Sequence, residues 1–292
     1  MDKNSGSLRP ASNTKSVRGA KCMVIDYVMV SFIQSEVLSI AGYFFSYLSN
    51  DWEILDSNVR GFQRVLTNGK IFFHYDNKGV KDTVLMEIRS NGCRFLEQET
   101  EHSWLFFFQQ LSEIADTVSL ERFNVKRIDI AVDSFSKETL TPARALAYLK
   151  RNLVTSRFQM SRLINEFRIK TTEVIGESLY FGKRTSDLSV LIYDKRLETK
   201  GESEWFRTEI RFRNSWAVKL LSALLGQPEN FGAFVAQALE QNIQFRSDYH
   251  KRSELRRQPL AKWYQSYLTF IKQQRLHGLK NNLKKDKTQE PY

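Results

Sequence analysis

The sequence predicts an α+β fold: an antiparallel sheet with helices on one face, then a second strand-rich lobe and a helical C-terminal region. Three observations support this prediction. Strand-like and helix-like segments alternate through the first half of the chain. More strand patterns follow the helix start at Thr141-Pro142, and past Asn214 the pattern becomes helical. The 292 residues, 41% of them hydrophobic, suffice for the core of one large domain or two small ones.

The first half of the chain reads as a strand–helix–strand–strand–helix–strand unit. Its elements are a strand at 24–32, a helix that Ser35 caps, strands at 70–75 and 83–89 joined by the turn residues 76–79, a helix at 102–118 and a strand at 127–133. This β-α-β-β-α-β order is that of ferredoxin-like or RRM-like units.

The second half opens with a helix from Thr141 to Lys150 and continues with strands and then helices. The strands are expected at about 167–175, 178–182, 188–194 and 205–213, and the helices at about 215–225, 229–241 and 259–275. Residues 1–21 are predicted to form a disordered basic arm and residues 280–292 a basic tail. The sequence is compatible both with one lobe over residues 22–214 and with two lobes that divide near 135–165.

Positive charge is concentrated near the C-terminus. The formal net charge is +11, and residues 246–292 carry twelve Lys and Arg against four Asp and Glu, which is +8 of that total. Clustered positive charge favours an anionic partner, either nucleic acid or an acidic membrane surface. A membrane role is disfavoured, because the tail lacks a good apolar face beyond Leu276, Leu279 and Leu283.

Cysteine content and hydropathy limit the compartment. Cys22 and Cys93 are too few for a disulfide framework or a four-ligand zinc site. No apolar run approaches the roughly 18 residues that cross a bilayer. The polar start of the chain does not resemble a signal peptide. We therefore predict a cytoplasmic protein.

Acidic side chains lie on the polar faces of two predicted strands. Alternation in the last strand of the first half puts Asp129 and Asp133 on one face, with room between them for a hard cation such as Mg²⁺ or Mn²⁺. Glu87 shares a strand face with Arg89, and His74 could reach it across the hairpin. An ordinary strand with a salt bridge remains the alternative.

The strand at 205–213 alternates in the same way. One face carries Arg207, Glu209, Arg211 and Arg213. Three arginines around one carboxylate suit contact with phosphate groups, with the acid as a metal ligand or a structural partner. A solvated sheet face is the competing interpretation.

A basic hairpin between about 177 and 198 offers a candidate nucleophile. Its turn contains Arg184, and Tyr193 and Lys195 lie on one face of its second strand. Cations beside a tyrosine lower the free energy of its phenolate and bind phosphate, which suits attack on a phosphodiester. With eleven tyrosines in the chain, a core or interface role for Tyr193 remains the alternative.

Six short segments, in this order along the chain, resemble the rolling-circle replication initiators of Gram-positive plasmids, with relatives among relaxases of integrative elements and phage initiators. The segments are Ile25-Asp26-Tyr27, Ser90-Asn91-Gly92-Cys93-Arg94, 127–133, 179–187, Ile192-Tyr193-Asp194-Lys195 and 207–211. Six segments in the family's order form a fairly specific signal.

The resemblance implies a divalent-metal-dependent DNA endonuclease and strand transferase. Its tyrosine stays attached to the DNA through a 5′-phosphotyrosyl link and frees a 3′-OH. It also implies an RRM-like nicking core within 22–214 that binds double-stranded origin DNA and single-stranded DNA. The protein partners it implies are a host helicase and, as an option, a second copy of the chain in a homodimer. By motif position Tyr193 is the nucleophile, with Tyr180 in reserve. The implied pool of metal ligands is Asp129, Asp133, Glu87 and Glu209.

Two departures from the family pattern affect these expectations. Leu191 stands where the family usually has an arginine, so phosphate contact falls to Arg184 or Arg207. Ser90-Asn91-Gly92 replaces a more usual Ser-Gly-x-Gly turn, and we expect only the loop conformation to change. No N-terminal helix-turn-helix is evident, so origin recognition falls to a helical region at 215–279 and the tail. The expected DNA contacts are Arg207, Arg211, Arg213, Arg252, Arg256, Arg257 and Lys262.

Two other functions stay open. One is a non-catalytic DNA- or RNA-binding protein, because sheets of this order bind single strands through stacked aromatic rings and the chain is 13% aromatic. The other is a structural or regulatory protein with a degenerate nicking domain, for which Leu191 is the main sign. A covalent adduct with DNA separates the nicking enzyme from both.

Overall fold

The computed structural model describes residues 21–33, 36–46, 48, 51–76, 83–99, 104–117, 123–199, 203–248 and 254–275. The described strands are Lys21–Ile33 (β1), Glu53–Asp56 (β2), Arg64–Thr67 (β3), Ile71–Tyr75 (β4), Thr83–Ile88 (β5), Phe123–Ser134 (β6), Val154–Ser156 (β7), Ser161–Arg168 (β8), Glu173–Phe181 (β9), Leu188–Asp194 (β10), Phe206–Arg213 (β11) and Ile243–Phe245 (β12). The described α-helices are Val37–Phe45 (α1), Ser90–Glu99 (α2), Trp104–Thr117 (α3), Pro142–Lys150 (α4), Lys195–Thr199 (α5), Asn214–Gly226 (α6), Phe231–Asn242 (α7) and Lys262–Lys272 (α8). The expected arm (1–20), the tail (280–292) and Arg252 lie outside the described residues. None of the described helices is long and apolar enough to cross a membrane.

Ten strands form one antiparallel sheet that runs through both halves of the chain. Its order is β2-β3-β4-β5-β1-β6-β11-β10-β9-β8, and β7 pairs separately with β12. The long strands β1, β6 and β11 lie near its centre and pair along most of their length. The predicted α+β class with an antiparallel sheet is confirmed.

Side-chain alternation gives the sheet one apolar and one polar face. Ile128, Ile130 and Val132 of β6 are buried, and apolar residues of α1, α3, α6, α7 and α8 join them in one continuous core. Helix α6 lies against β6 and β11, and α3 lies against α6. The alternate residues of β6, such as Asp129 and Asp133, therefore face the other side of the sheet.

Several elements begin and end close to where the sequence predicts them. The hairpin of β4 and β5, strand β10 and helices α6 to α8 agree with the prediction. Thr141 caps α4 by accepting a hydrogen bond from the Arg144 amide at 3.1 Å, with Pro142 in the first turn. Capping chemistry marks the start of α4, and apolar periodicity indicates the other elements.

The strand predicted at 167–175 is wrong. Strand β8 ends at Arg168 and β9 begins at Glu173, and between them Thr172 takes a φ of 53°. Apolar residues on both sides of this turn, among them Phe167 at 54% exposed, resemble one continuous strand in the sequence. The two strands instead form a hairpin at the edge of the large sheet.

The segment from Ser90 to Arg94, expected as a turn, forms the first half of helix α2. A Cβ at Gly92 would lie 2.3 Å from the carbonyl oxygen of Lys70, so the helix approaches the turn between β3 and β4 closely at this glycine. Glycine therefore serves close packing here. Strands β2 and β3 have no counterpart in the sequence prediction, and all four residues of β2 are exposed, which removes the usual alternating pattern.

Candidate active site on the polar face of the sheet

The central strands bring side chains that are distant in sequence into neighbouring rows on the polar face. Tyr193 of β10 lies opposite Arg207 of β11, and Arg207 lies opposite Asp133 of β6. In the next row, Leu191 lies opposite Glu209. Cross-strand neighbours of this kind contact each other. The polar face therefore assembles most of the site residues that the sequence predicts.

Tyr193 is buried and hydrogen-bonded to a carboxylate. It is 8% exposed, and its hydroxyl donates to Glu209 Oε1 at 2.8 Å. Burial and the neighbouring charge of Glu209 raise the pKa of Tyr193 well above its ordinary value. At neutral pH the phenol is therefore uncharged, and its proton points at an acceptor.

Glu209 is an ionised acceptor for that proton. Burial opposes its ionisation, but Arg211 and the Tyr193 hydroxyl outweigh burial and lower the pKa of Glu209. Arg211 donates to Glu209 Oε2 from Nη2 at 2.6 Å and from Nε at 3.1 Å. One carboxylate oxygen thus binds an arginine, and the other accepts the hydrogen bond of the phenol.

Lys195 and Tyr180 lie near Tyr193, and Lys195 begins helix α5 instead of continuing the strand. The Lys195 ammonium is 5.6 Å from the centre of the Tyr193 ring and 2.7 Å from Glu198. Tyr180 lies on β9 and, by the strand register, on the same face of the sheet as Tyr193. Arg184 is exposed in the turn between β9 and β10. Two tyrosines therefore adjoin on the polar face, with Lys195 at one end of β10 and Arg184 beyond its other end.

Arg207 is the centre of a buried ion-pair cluster. Its Nε and Nη2 atoms donate to the two oxygens of Asp133, each at 2.7 Å. Its Nη1 atom donates to Asp26 at 2.9 Å, and Trp205 Nε1 donates to Asp133 at 2.9 Å. The guanidinium expected to contact DNA is therefore engaged by two carboxylates, and it ties β11 to β6 and β1.

Asp26 is a member of this cluster that sequence reasoning missed. Strand β1 has a bulge between Ile25 and Tyr27, which interrupts the alternation of its side chains. Burial raises the pKa of Asp26 above its ordinary value, against the attraction of Arg207. A bulge leaves no periodic signal in a single sequence, so the available clues were an acid inside an apolar strand and its place in the segment Ile25-Asp26-Tyr27.

Asp129 and the remaining arginines form a second cluster beside the first. Arg127 donates to Asp129 from Nε at 2.8 Å and also from Nη2, and Arg211 Nε lies 3.7 Å from the same carboxylate. Burial raises the pKa of Asp129. Arg213 donates to Ser189 Oγ at 3.0 Å. Each predicted DNA-binding arginine of β11 therefore has a partner within the protein.

Glu87 lies on β5, several strands away from Tyr193 along the sheet, and it has hydrogen-bond partners of its own. It accepts hydrogen bonds from the Tyr27 hydroxyl and, at 3.0 Å, from Arg89, and it pairs with His74 Nε2 at 3.2 Å. Burial opposes ionisation, but these hydrogen bonds outweigh it and hold the pKa of Glu87 well below its ordinary value. Strands β5 and β10 are four spacings apart in the sheet order, so Glu87 is roughly 19 Å from the strand of Tyr193.

We expect Glu87→Gln to lower the free energy of unfolding by about 1–3 kcal/mol at neutral pH, because buried donors lose an ionised partner. A carboxyl group with a depressed folded pKa contributes stability above its unfolded pKa of about 4.3, and this stability is lost as pH falls through the folded value. The difference in the free energy of unfolding between the variant and the unsubstituted protein should therefore shrink below about pH 4. Urea unfolding at several pH values measures it, and a deficit that does not change with pH would contradict the prediction.

The four carboxylates of the predicted metal pool do not form a metal site in this arrangement. Asp129, Asp133, Glu87 and Glu209 are each paired with an arginine. Within the part of the chain that the structure describes, no three His, Cys, Asp or Glu side chains come together in a group that could hold an ion. Magnesium and manganese need several oxygen ligands around one point. The residues present therefore do not fit such an ion as they stand.

The described C-terminal cations lie at the surface. Arg256 lines a cavity of 370 Å³ together with Arg157 and Arg246. Arg257 Nε lies 3.5 Å from Glu254, and Lys262, at the start of α8, is exposed. These side chains are accessible to an anionic partner.

The chain matches a known family over the strands that carry the site. The model of the replication initiation factor family matches residues 123–290, more than half of the chain. The chain belongs to this family. The matched segment of this replication initiation factor contains Tyr193, Glu209 and Arg207.

Two individual proteins are similar to this replication initiation factor. NicK of Bacillus subtilis (strain 168), whose name assigns it to the DNA relaxases, is 25% identical over 240 residues, which cover 76% of this chain and 64% of NicK. The chain thus spans less than two thirds of that relative. The structure of a rolling circle replication initiator protein from Geobacillus stearothermophilus matches 88% of this chain and 98% of its own, with a TM-score of 0.77 and 25% identity. The resemblance to rolling-circle initiators and relaxases is confirmed.

Proposed function

We propose that this replication initiation factor nicks one strand of origin DNA through Tyr193, forms a 5′-phosphotyrosyl link and frees a 3′-OH for a polymerase. One observation carries the proposal: the Tyr193 hydroxyl lies 2.8 Å from Glu209 on a sheet face rich in arginine. A weak nucleophile such as a phenol needs an adjacent proton acceptor and nearby positive charge. The family match over this segment supports the same class of reaction.

The proposed step forms a bond between the Tyr193 oxygen and phosphorus and breaks the bond between phosphorus and the 3′ oxygen. Glu209 accepts the phenolic proton as the new bond to phosphorus forms, because attack makes the phenol more acidic and the two groups are already hydrogen-bonded. The 3′ oxygen leaves with a proton taken from solvent. Arg207 and Arg211 lie beside this pair, and their charge favours the negative charge that develops on the phosphate.

Phosphate contact along the polar face is proposed for Lys195, Arg184 and the arginines of β11. Leu191 is buried on the same face, opposite Glu209, and contributes no charge where the family usually has an arginine. Arg207 is already engaged by two carboxylates. The exposed Arg184, in the turn before β10, is therefore proposed to contact the adjoining phosphate.

Origin recognition is proposed for the helical region at 215–279, with residues 22–214 as the nicking domain. Arg256, Arg257 and Lys262 would bind duplex phosphates, a contact that fixes position without reading sequence. The same role is proposed for Arg252, outside the described residues. A host helicase and a homodimer are proposed on the family resemblance alone.

Metal dependence is also a proposal, and it comes from the family resemblance. In this family the ion, Mg²⁺ or Mn²⁺, supplies polarisation of the scissile phosphate when it is bound. Because the carboxylate pool does not fit an ion in this arrangement, we assign no step to it. We expect EDTA to abolish adduct formation, and added Mg²⁺ or Mn²⁺ to restore it, on a denaturing gel. Adduct formation that continues in EDTA would remove the metal from the proposal.

The test of the proposed function is a covalent protein–DNA adduct. The purified protein is incubated with supercoiled plasmid pools from its source element and with Mg²⁺ or Mn²⁺, and the products are separated on a denaturing gel. Protein attached to a DNA 5′ end is the expected result. Tight, salt-sensitive DNA binding without an adduct would favour the second candidate, a non-catalytic DNA-binding protein. The burial of Tyr193 and the uncharged Leu191 are consistent with that candidate.

A further inference from the structure

We infer that a cavity beside Tyr180 is a subsite for one nucleotide of the single strand next to the scissile phosphate. The ring of Tyr180 stacks on the base, and the cations at the rim contact the adjoining phosphate. The inference rests on the proposed function, because it places this nucleotide relative to Tyr193. It changes the role of Tyr180 from reserve nucleophile to binding platform.

The cavity has the composition of a single-strand binding site. Its volume is 350 Å³, and Tyr180, Ile164, Arg162, Lys183 and Arg184 line it. Proteins that bind single strands combine an aromatic platform for a base with cations for the backbone. The half-buried ring of Tyr180 supplies the platform, and the three cations are exposed around it.

The charge of this cavity differs from that of the neighbouring cavity. None of the described residues that line the cavity beside Tyr180 is acidic. The cavity next to Tyr193, of 190 Å³, is lined by four acids, Glu166, Glu177, Asp194 and Glu198. The phosphate next to the scissile one therefore favours the cavity beside Tyr180.

The turn that carries Lys183 and Arg184 is held in place by its own hydrogen bonds. The Gly182 amide donates to Met160 O at 3.0 Å, and the Ser186 amide donates to Lys183 O at 3.0 Å. Gly182 has a φ of +84°, and a Cβ there would lie 2.9 Å from the Phe158 ring, so glycine is needed at this position.

The far end of the same turn is anchored to β11 and α6. Arg213 donates to Ser186 O at 3.1 Å, and Asp187 accepts from Asn214 at 2.8 Å and Ser215 at 2.9 Å. Within the described residues, by contrast, no hydrogen bond or ion pair engages the side chains of Lys183 and Arg184. Two cations are thus presented on a fixed turn without carboxylate partners, which lowers the entropic cost of binding phosphate.

The cavity adjoins the cavity at Tyr193. Ser178 lies opposite Tyr193, and Tyr180 is two residues further along the same strand. Diagonal neighbours of this kind are roughly 7–8 Å apart. Ile164 lines both cavities. A strand whose phosphate reaches Tyr193 can therefore place a neighbouring base over Tyr180.

Tyr180 lacks the proton acceptor that Tyr193 has. The hydroxyl of Tyr193 donates to Glu209, whereas no carboxylate contacts the hydroxyl of Tyr180 among the described residues. Stacking needs only the ring, and nucleophilic attack needs the hydroxyl. Phenylalanine at this position therefore separates the two roles.

The test measures binding and nicking on the same variants. Binding of a fluorescein-labelled single-stranded oligodeoxynucleotide of about twelve nucleotides is followed by anisotropy in full-length Tyr193→Phe, which prevents covalent capture. Adding Tyr180→Ala should weaken binding about 5- to 100-fold, whereas adding Tyr180→Phe should leave it within about twofold. Tyr43→Ala, a change at an exposed tyrosine on α1, is the matched control and should have no effect.

The cations are tested by salt dependence. Lys183→Ala with Arg184→Ala should reduce the slope of log affinity against log salt by about 0.7 for each lost phosphate contact. Arg168→Ala, at the exposed tip of the β8–β9 hairpin, is the control and should leave the slope unchanged.

The results separate this inference from the proposed function. Unchanged binding in Tyr180→Ala, or loss of the adduct in Tyr180→Phe with Tyr193 intact, would overturn the subsite. If the unsubstituted protein forms no adduct while binding still depends on the Tyr180 ring, nicking fails and the subsite stands. An adduct together with ring-dependent binding is the result we expect.

Discussion

We expect Tyr193→Phe to abolish the covalent adduct and to lower nicking at least about 1000-fold, because the variant lacks the attacking oxygen. The change removes one oxygen atom and leaves the buried ring in place. The fold should lose only the hydrogen bond to Glu209, which is worth about 1–3 kcal/mol. A denaturing gel measures the adduct, and thermal unfolding followed by circular dichroism measures the fold.

Tyr180→Phe is the matched control, because it removes the same atom from a tyrosine on the neighbouring strand and the same face of the sheet. It should retain nicking. An adduct that persists in Tyr193→Phe and disappears in Tyr180→Phe would transfer the role of nucleophile to Tyr180. An adduct that persists when both are replaced would exclude both tyrosines as the nucleophile.

The second large effect concerns the stability of the sheet. Arg207→Met should lower the free energy of unfolding by about 3–5 kcal/mol, because it leaves uncompensated buried charge. Arg207 bridges Asp133 and Asp26 from a side chain that is 9% exposed. Methionine keeps much of the volume of the side chain but none of its charge. Urea unfolding measures the change, and a folded variant with lower stability is expected to show reduced nicking as well.

Arg168→Met is the control for this experiment. Arg168 pairs with Glu173 at 3.1 Å, but both side chains are more than half exposed, at 56% and 57%. An exposed pair of this kind contributes about 0–1 kcal/mol, because water and salt screen it. Equal effects of the two substitutions would show that the Arg207 cluster does not stabilise the sheet.

Much of the fold can be predicted from local patterns. Apolar alternation identifies β6, β10 and β11 and the face of each that is polar, because side chains of a strand alternate whichever strand it pairs with. Thr141 and Pro142 identify the start of α4 by capping chemistry. Six motifs in order identify the class of protein, which the family match bears out.

Prediction fails where tertiary contacts override the local pattern. Apolar residues on both sides of the turn near Thr172 conceal a hairpin at the edge of the sheet. Gly92 indicates a turn in the sequence, but it lies in a helix against the backbone at Lys70. The bulge at Asp26 turns its carboxylate toward Arg207, although the strand pattern around it is apolar.

The sequence by itself determined the elements, their polar faces, the basic character of the chain and the set of residues able to do the chemistry. Only the tertiary structure decided which of these residues meet. Glu209 lies 16 positions from Tyr193 and Asp26 lies 181 positions from Arg207, yet each pair is hydrogen-bonded. Such pairs depend on which strands are neighbours and on their register, and packing of the whole sheet on one core sets both.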